Sequence, residues 1–99
     1  MPTNQASALL ELERRWQQIF DTLNAGGEVP PAQRLRAEGF MEALVHLGLA
    51  SEATLQEALE RCYAESYGHS LPRDWREIFP FPQVPGFGRR APVYPSTRD

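Results

Sequence analysis

Apolar residues recur through the N-terminal part of the chain with the period of an α-helix. Between Asn4 and Asn24 the main series advances by three or four positions, at Leu9, Leu12, Trp16, Ile19 and Leu23. This spacing places the series along one side of a helix, and most charged residues and glutamines fall on the other side. Glycine readily takes the left-handed backbone conformation that ends many helices, so Gly26 and Gly27 predict the end of this helix.

A second helix is predicted from Pro31 to about Leu47. Proline suits the first helical position, because its missing N–H group would have no partner there. The interior glycine, Gly39, costs about 1 kcal/mol relative to alanine, and we expect it to allow another helix to approach closely. Gly48 is expected to end the helix. The apolar positions of this segment are Leu35, Phe40, Met41, Leu44, Val45 and Leu47.

A third helix is predicted after Ser51, which suits the N-cap position, and Glu52 adds a negative charge to its first turn. The residues that follow at helical spacing are Leu55, Leu59, Cys62, Tyr63 and Tyr67. Gly68 is expected to end this helix. The link from Gly48 to Ser51 is short enough for an αα-hairpin or for the corner of a helix-turn-helix.

The composition changes after the third helix. Residues 70–99 contain six of the nine prolines and five of the ten aromatic residues. A short helix is predicted from about Arg73 to Phe79, followed by extended chain, because repeated proline disfavours both helix and central strand. We therefore predict an all-α protein. It has a three-helix domain in residues 1–69, and in residues 70–99 a short helix and an extended tail that packs on the domain or on a partner.

Charge divides the chain at the same place. Residues 1–69 contain five arginines and ten acidic residues, a formal charge of −5, whereas residues 70–99 carry +2. The net charge of the chain is −3. This balance argues against a general nucleic-acid binder, because neutralisation of phosphates supplies most of the non-specific affinity for nucleic acids.

Composition also indicates a compartment. Apolar residues make up 41% of the 99 residues, which is enough for the core of one domain. The single cysteine cannot form an internal disulfide, which suits a reducing compartment. No apolar run approaches the roughly 20 residues of a spanning helix, and the first residues do not have the pattern of a signal peptide. All ten basic residues are arginine, which is typical of a GC-rich bacterial genome. We therefore expect a cytoplasmic bacterial protein.

The residues that could carry out chemistry do not form a recognisable constellation. His46, Cys62 and His69 match none of the usual zinc-binding spacings. Cys62 falls in the apolar series of the third helix, and acidic pairs such as Glu57 and Glu60 fit a solvated helix face. No glycine-rich phosphate loop is present in the required strand-turn-helix context. We predict no catalytic residue, no metal or cofactor, and no enzymatic activity.

Recognition of another protein by an apolar surface is the remaining hypothesis. The apolar stripe of the first helix is broad for a helix covered on one side, and a second protein or a second copy of the chain would bury the excess. Aromatic residues dominate binding hot spots, and the tail presents them in extended chain. The predicted partner-binding residues are Trp16, Ile19, Phe20, Leu23, Trp75, Phe79, Phe81 and Phe87. For the first helix the alternative is that most of the stripe is core of the three-helix domain. For the tail residues the alternative is that they cover the helical domain itself.

One stretch resembles a known family. It consists of residues Arg36–Ser51, RAEGFMEALVHLGLAS, followed by TLQEAL in residues Thr54–Leu59. It resembles the QslA-type antiactivators, small pseudomonad proteins that act on a LuxR-family quorum-sensing regulator. The similarity covers about residues 33–68. It implies a small helical protein that binds a transcription factor and blocks its dimerisation or its binding to DNA, without catalysis.

The alternative hypothesis is a DNA-binding or antitoxin-like accessory protein that uses the corner between the second and third helices. A recognition helix should present basic or amide side chains to DNA. The third helix instead carries Glu52, Glu57, Glu60 and Glu65 against Arg61 alone. Nucleic acid is therefore not the partner we expect.

Overall fold

The computed structural model describes residues 4–86, and this part of the chain contains three long helices, a short fourth helix and no strand. The helices are α1 (Asn4–Asn24), α2 (Pro31–His46), α3 (Glu52–Tyr67) and α4 (Trp75–Ile78). The all-α fold predicted from the apolar pattern is confirmed.

The helix ends follow from local chemistry. Gly26, Gly48 and Gly68 have φ values of +83°, +73° and +79°, the left-handed conformation that glycine takes without a Cβ clash. The Ser51 hydroxyl accepts a hydrogen bond from the Thr54 N–H at 3.1 Å and caps the start of α3. These features stop and start the helices where the sequence predicts them, within one residue.

The fourth helix is shorter than the predicted Arg73–Phe79 segment. Asp74 precedes the helix with φ −102° and ψ 23°, and Phe79 follows it with φ −123° and ψ 75°. Phe79 stands before Pro80, and the ring of a proline disfavours helical geometry in the residue before it. Pro80 therefore accounts for the end of α4 at Ile78.

The helix α1 is central because it packs against both α2 and α3. The Gln5 side chain donates to the Leu49 carbonyl at 2.7 Å, and the Asn24 side chain donates to the Ser66 carbonyl at 3.1 Å. The start of α1 therefore lies at the α2–α3 link and its end lies at the end of α3, so α1 and α3 run parallel and α2 runs against them.

The described part of the tail folds back onto this bundle. Leu71, Trp75 and Val84 are buried in the same core as the three long helices, and Phe81 packs against it. Within residues 70–86, the chain therefore completes the core of the helical domain. The rest of the core is formed by Leu12, Trp16, Ile19, Phe20, Ala37, Met41, Leu44, Leu55, Ala58, Leu59, Cys62 and Tyr63.

The expectation that Gly39 allows another helix of this chain to approach is wrong. Gly39 is exposed, and a Cβ atom built on it would meet no described atom within 4 Å. The inner side of α2 is formed by Ala37, Met41 and Leu44, which are buried. Gly39 lies on the other side of the helix and faces outward.

Candidate protein-interaction surface

Most of the partner-binding residues predicted in the first helix lie in the core of the chain itself. Trp16, Ile19 and Phe20 are at most 1% exposed, and Leu23 is half-buried. The stripe is broader than a helix covered on one side would need, and α1 packs against both α2 and α3. Most of the apolar surface of this stripe is therefore buried within the chain.

The predicted tail residues divide into three groups. Trp75 is only 3% exposed, so it also belongs to the core. Phe79 and Phe81 are half-buried, and their rings reach the surface in part. Phe87 lies outside the described residues. Among the tail aromatics that the structure describes, Phe81 has the clearest place at a surface feature, because it lines the groove described below.

An apolar outer face of α2 replaces the predicted surface. It consists of Leu35, Gly39, Ala43 and Leu47, which follow one another at four-residue steps and are all exposed. Leu35 and Leu47 are 58% and 67% exposed, so this face carries two large apolar side chains that lie largely in water. The four residues are named the α2 outer face below.

The sequence contains a signal for this face. The sequence pattern groups Leu35 and Leu47 with Met41 and Leu44. In the structure Met41 and Leu44 are buried, whereas Leu35 and Leu47 belong to a second, exposed series. Steps of four rotate slowly around a helix, so Leu35, Gly39, Ala43 and Leu47 stay on one side, roughly opposite to the buried series. A helix with two apolar sides can bury both only if something packs on each, and within residues 4–86 only the inner side of α2 is buried.

A shallow groove of about 680 Å³ lies along the α2 outer face. Gly39 and Ala43 contribute almost no side chain, so they form its floor, and Phe81 with Pro82 forms one wall. The remaining lining residues are Glu42, Val45, His46 and Glu52. The groove and the α2 outer face share Gly39 and Ala43, so they form one continuous surface.

A second, smaller cleft of about 290 Å³ lies beside the C-terminal end of α1. It is lined in part by Leu23, Ile19 and Val29, with Glu28 and Arg34 at its polar side. Leu23 and Ile19 are thus the residues of the predicted α1 group that line this cleft, and Leu23 is the more exposed of the two.

Of the residues considered for catalysis, Cys62 lies in the core, and His46 and His69 are exposed. Burial, assisted by the negative charges of Glu13 and Glu65, raises the pKa of the Cys62 thiol to about 11, so the thiol stays protonated at neutral pH. Its sulfur lies 3.8 Å from the amide oxygen of Gln17. The His69 ring lies edge-on to Tyr63 at a centroid distance of 5.8 Å. Within residues 4–86, no three His, Cys, Asp or Glu side chains converge as they would around a metal ion.

No helix of the described chain combines the length and the apolar character that crossing a membrane would require. Comparison of the chain with protein-family models, with curated proteins and with solved structures found no match.

Proposed function

We propose that this protein is a non-enzymatic bacterial regulator that binds a transcription factor stoichiometrically and keeps it from dimerising or from binding DNA. The α2 outer face is the observation that supports this proposal. It is an exposed apolar surface on a rigid helix, and such surfaces on small domains commonly mark sites of protein association.

The energetic argument concerns the two leucines. Burying a leucine side chain is worth about 1.5–3 kcal/mol, and Leu35 and Leu47 each leave more than half of their surface in water. A partner that covers both side chains gains the share of this free energy that corresponds to their exposed surface. The chain bears the exposure cost when it is alone, so the face is better explained by an interaction than by folding.

The shape of the surface favours a helix as the bound element. Gly39 and Ala43 stand four residues apart, and their small size lets the backbone of a second helix approach closely. Leu35 and Leu47 lie beyond them at either end, and Phe81 with Pro82 borders the groove. An amphipathic helix laid in such a groove would place its apolar residues between the two leucines.

Charge favours a regulator of a DNA-binding protein over a DNA-binding protein itself. Glu52, Glu57 and Glu65 are exposed on α3. In the helix-turn-helix alternative, α3 would enter the major groove, where these carboxylates would be repelled by the phosphates. The same charges are tolerated when α3 faces solvent and α2 makes the contact.

The proposal is tested with the full chain and the LuxR-family regulators encoded in the same genome. Each regulator is bound to its labelled operator, and release from DNA is followed by fluorescence anisotropy as the chain is added. We expect release that is complete at a fixed molar ratio. Leu47→Glu should weaken release about tenfold or more, equivalent to about 1.4 kcal/mol, because it places a charge on the α2 outer face.

Leu10→Glu is the matched control. Leu10 is 63% exposed, close to the 67% of Leu47, but it lies on α1. It should leave release unchanged. Direct binding of the chain to the operator would contradict the proposal, and so would full DNA binding by every regulator at saturating amounts of the chain. Sedimentation of wild type and Leu47→Glu tests a second copy as the occupant, and a dimer that Leu47→Glu dissociates would also overturn the proposal.

A further inference from the structure

A cleft between α1 and α2 is lined only by hydrogen-bond-donating side chains with no carboxylate among them. It has a volume of about 210 Å³. The lining residues are Arg14, Arg15 and Gln18 from α1 and Gln33 and Arg36 from α2. Guanidinium groups are planar forks of N–H donors that match the two oxygens of a carboxylate. The cleft is therefore built to accept an anion.

Two of the three guanidinium groups are held in place by neighbours outside the cleft lining. The Glu11 carboxylate accepts hydrogen bonds from Arg14 at 2.6 and 2.9 Å and from Arg15 at 2.9 Å. The Arg15 guanidinium also lies over the ring of Phe40, 4.6 Å from its centroid. These contacts reduce the conformational entropy that a ligand would have to remove on binding.

The positive charge of the cleft is not neutralised within the described chain. Glu11 compensates one of the two charges of Arg14 and Arg15, and Arg36 makes no ion pair or hydrogen bond with any described side chain. A charge of about +2 therefore faces one opening, in a segment, residues 1–69, whose formal charge is −5. The acidic remainder of the surface repels a long polyanion, so a short acidic ligand fits better than a nucleic acid.

The exposed side chain of Leu35, next to the cleft residue Arg36, indicates which class of anion fits. Leu35 directly precedes Arg36 in α2 and is 58% exposed. A free inorganic anion would use the arginines and leave Leu35 in water. A peptide segment that carries carboxylates beside an apolar residue would satisfy both, and it would continue onto the α2 outer face.

We propose that this arginine cleft binds the carboxylate side chains of an acidic, leucine-containing segment of the protein partner. This inference rests on the proposed function and adds the chemistry of the partner: the helix that covers the α2 outer face is acidic on the side that meets α1. Arg36 and Arg14 bind its carboxylates, and Leu35 contacts its apolar residue.

The first test uses the folded full chain and a short synthetic amphipathic peptide of glutamate and leucine, with inorganic phosphate as a second probe. Binding is followed by NMR at low ionic strength through the side-chain N–H signals of the arginines. We expect saturable shifts at Arg14, Arg15 and Arg36. Arg36→Glu should weaken peptide binding about tenfold or more, and Leu35→Ser should weaken binding of the peptide but not of phosphate.

Arg73→Glu is the matched control, because Arg73 is also exposed and the charge change is the same, but it lies outside the cleft. Absence of saturable peptide binding would overturn the inference. It would also be overturned if phosphate bound as tightly as the peptide and Leu35→Ser had no effect, since the cleft would then be a simple anion site.

The second test separates this inference from the proposed function. Arg36→Glu is compared with wild type in the release of the regulator from its operator. If wild type releases the regulator and Arg36→Glu does so equally well, the acidic-partner inference fails while the proposed function stands. If wild type releases no regulator, the proposed function itself fails.

Discussion

The backbone N–H of Val84 donates a hydrogen bond of 2.9 Å to the carboxylate of Glu38, which joins two positions 46 residues apart. The Glu38 carboxylate is largely buried, with 13% of its side chain exposed, and Arg34 approaches the same oxygen at 3.8 Å. Val84 is 2% exposed. This contact attaches the chain after α4 to α2, and it holds Phe81 and Pro82 beside the groove.

Removal of the Glu38–Val84 hydrogen bond should loosen the chain around Val84 more than the rest of the domain. Glu38→Ala removes a charge-assisted acceptor from a buried N–H, and we expect a loss of about 2 kcal/mol in the free energy of unfolding. Hydrogen exchange of the Val84 amide should rise more than that of amides within α1. Glu42→Ala is the control, because Glu42 is exposed on the same helix. Unchanged protection of Val84 in Glu38→Ala would show that the hydrogen bond does not hold the segment.

The tail should contribute to the stability of the whole domain through Trp75. This residue is 3% exposed in the common core, and truncation of such a side chain typically costs about 3–5 kcal/mol. Trp75→Ala is therefore expected to lower the free energy of unfolding by that amount in urea denaturation. Ile78→Ala, on the same turn but 42% exposed, should cost clearly less. Similar losses in the two variants would contradict the placement of Trp75 in the core.

Substitution of Gly39 should separate folding from binding. A Cβ atom at Gly39 meets no described atom within 4 Å, and alanine is favoured over glycine inside a helix by about 1 kcal/mol. Gly39→Ala should therefore raise the free energy of unfolding by up to about 1 kcal/mol. It should also weaken binding of the regulator, because the added methyl group stands on the floor of the groove.

Gly68→Ala is the control for the previous variant. Gly68 has φ +79°, where a side chain costs about 1–2 kcal/mol, so the same substitution should destabilise the domain and leave the groove intact. If Gly39→Ala destabilised the domain as Gly68→Ala does, the outward position of Gly39 would be wrong. If it bound the regulator as wild type does, Gly39 would not be part of the interface.

The buried thiol of Cys62 should make the free energy of unfolding fall at alkaline pH. Burial raises the pKa of its thiol to about 11 in the folded chain, against an ordinary value of 9.0. The unfolded chain therefore ionises first as the pH rises, and the contribution of the thiol to stability is fully present below about pH 9 and lost towards pH 11. The difference in stability between wild type and Cys62→Ala should shrink over that range.

Thiol reactivity checks the same prediction directly. The rate of alkylation of Cys62 by iodoacetamide should rise with a midpoint near pH 11 in the folded chain and near the ordinary thiol pKa in denaturant. A folded-state midpoint at the ordinary value would show that the thiol is not desolvated.

Local features of the sequence were sufficient to predict the helices. Ser51 and Gly68 mark the ends of α3 through interactions within four residues, a cap hydrogen bond at one end and a left-handed glycine at the other. Such interactions do not depend on the rest of the fold. The end of α4 at Ile78 has an equally local cause, the proline after Phe79.

The candidate surface could be predicted only in part. Phe81 was singled out as an aromatic residue in a proline-rich segment, and it lines the groove beside α2. The α2 outer face was missed because its leucines were assigned to the core. The arginine cleft was missed because its residues come from two helices whose relative rotation no linear pattern specifies.

The sequence by itself determined where the three long helices of this protein begin and end, because caps, glycines and prolines act through bonds and sterics within a few residues. Only the tertiary structure decided which apolar stripe stays exposed. Trp16 and Leu35 both occupy apolar positions of helical patterns, but α1 packs extensively against two helices, whereas α2 within the described chain packs extensively against α1 alone. Burial depends on how many neighbours surround a helix, and that number is a property of the assembled fold.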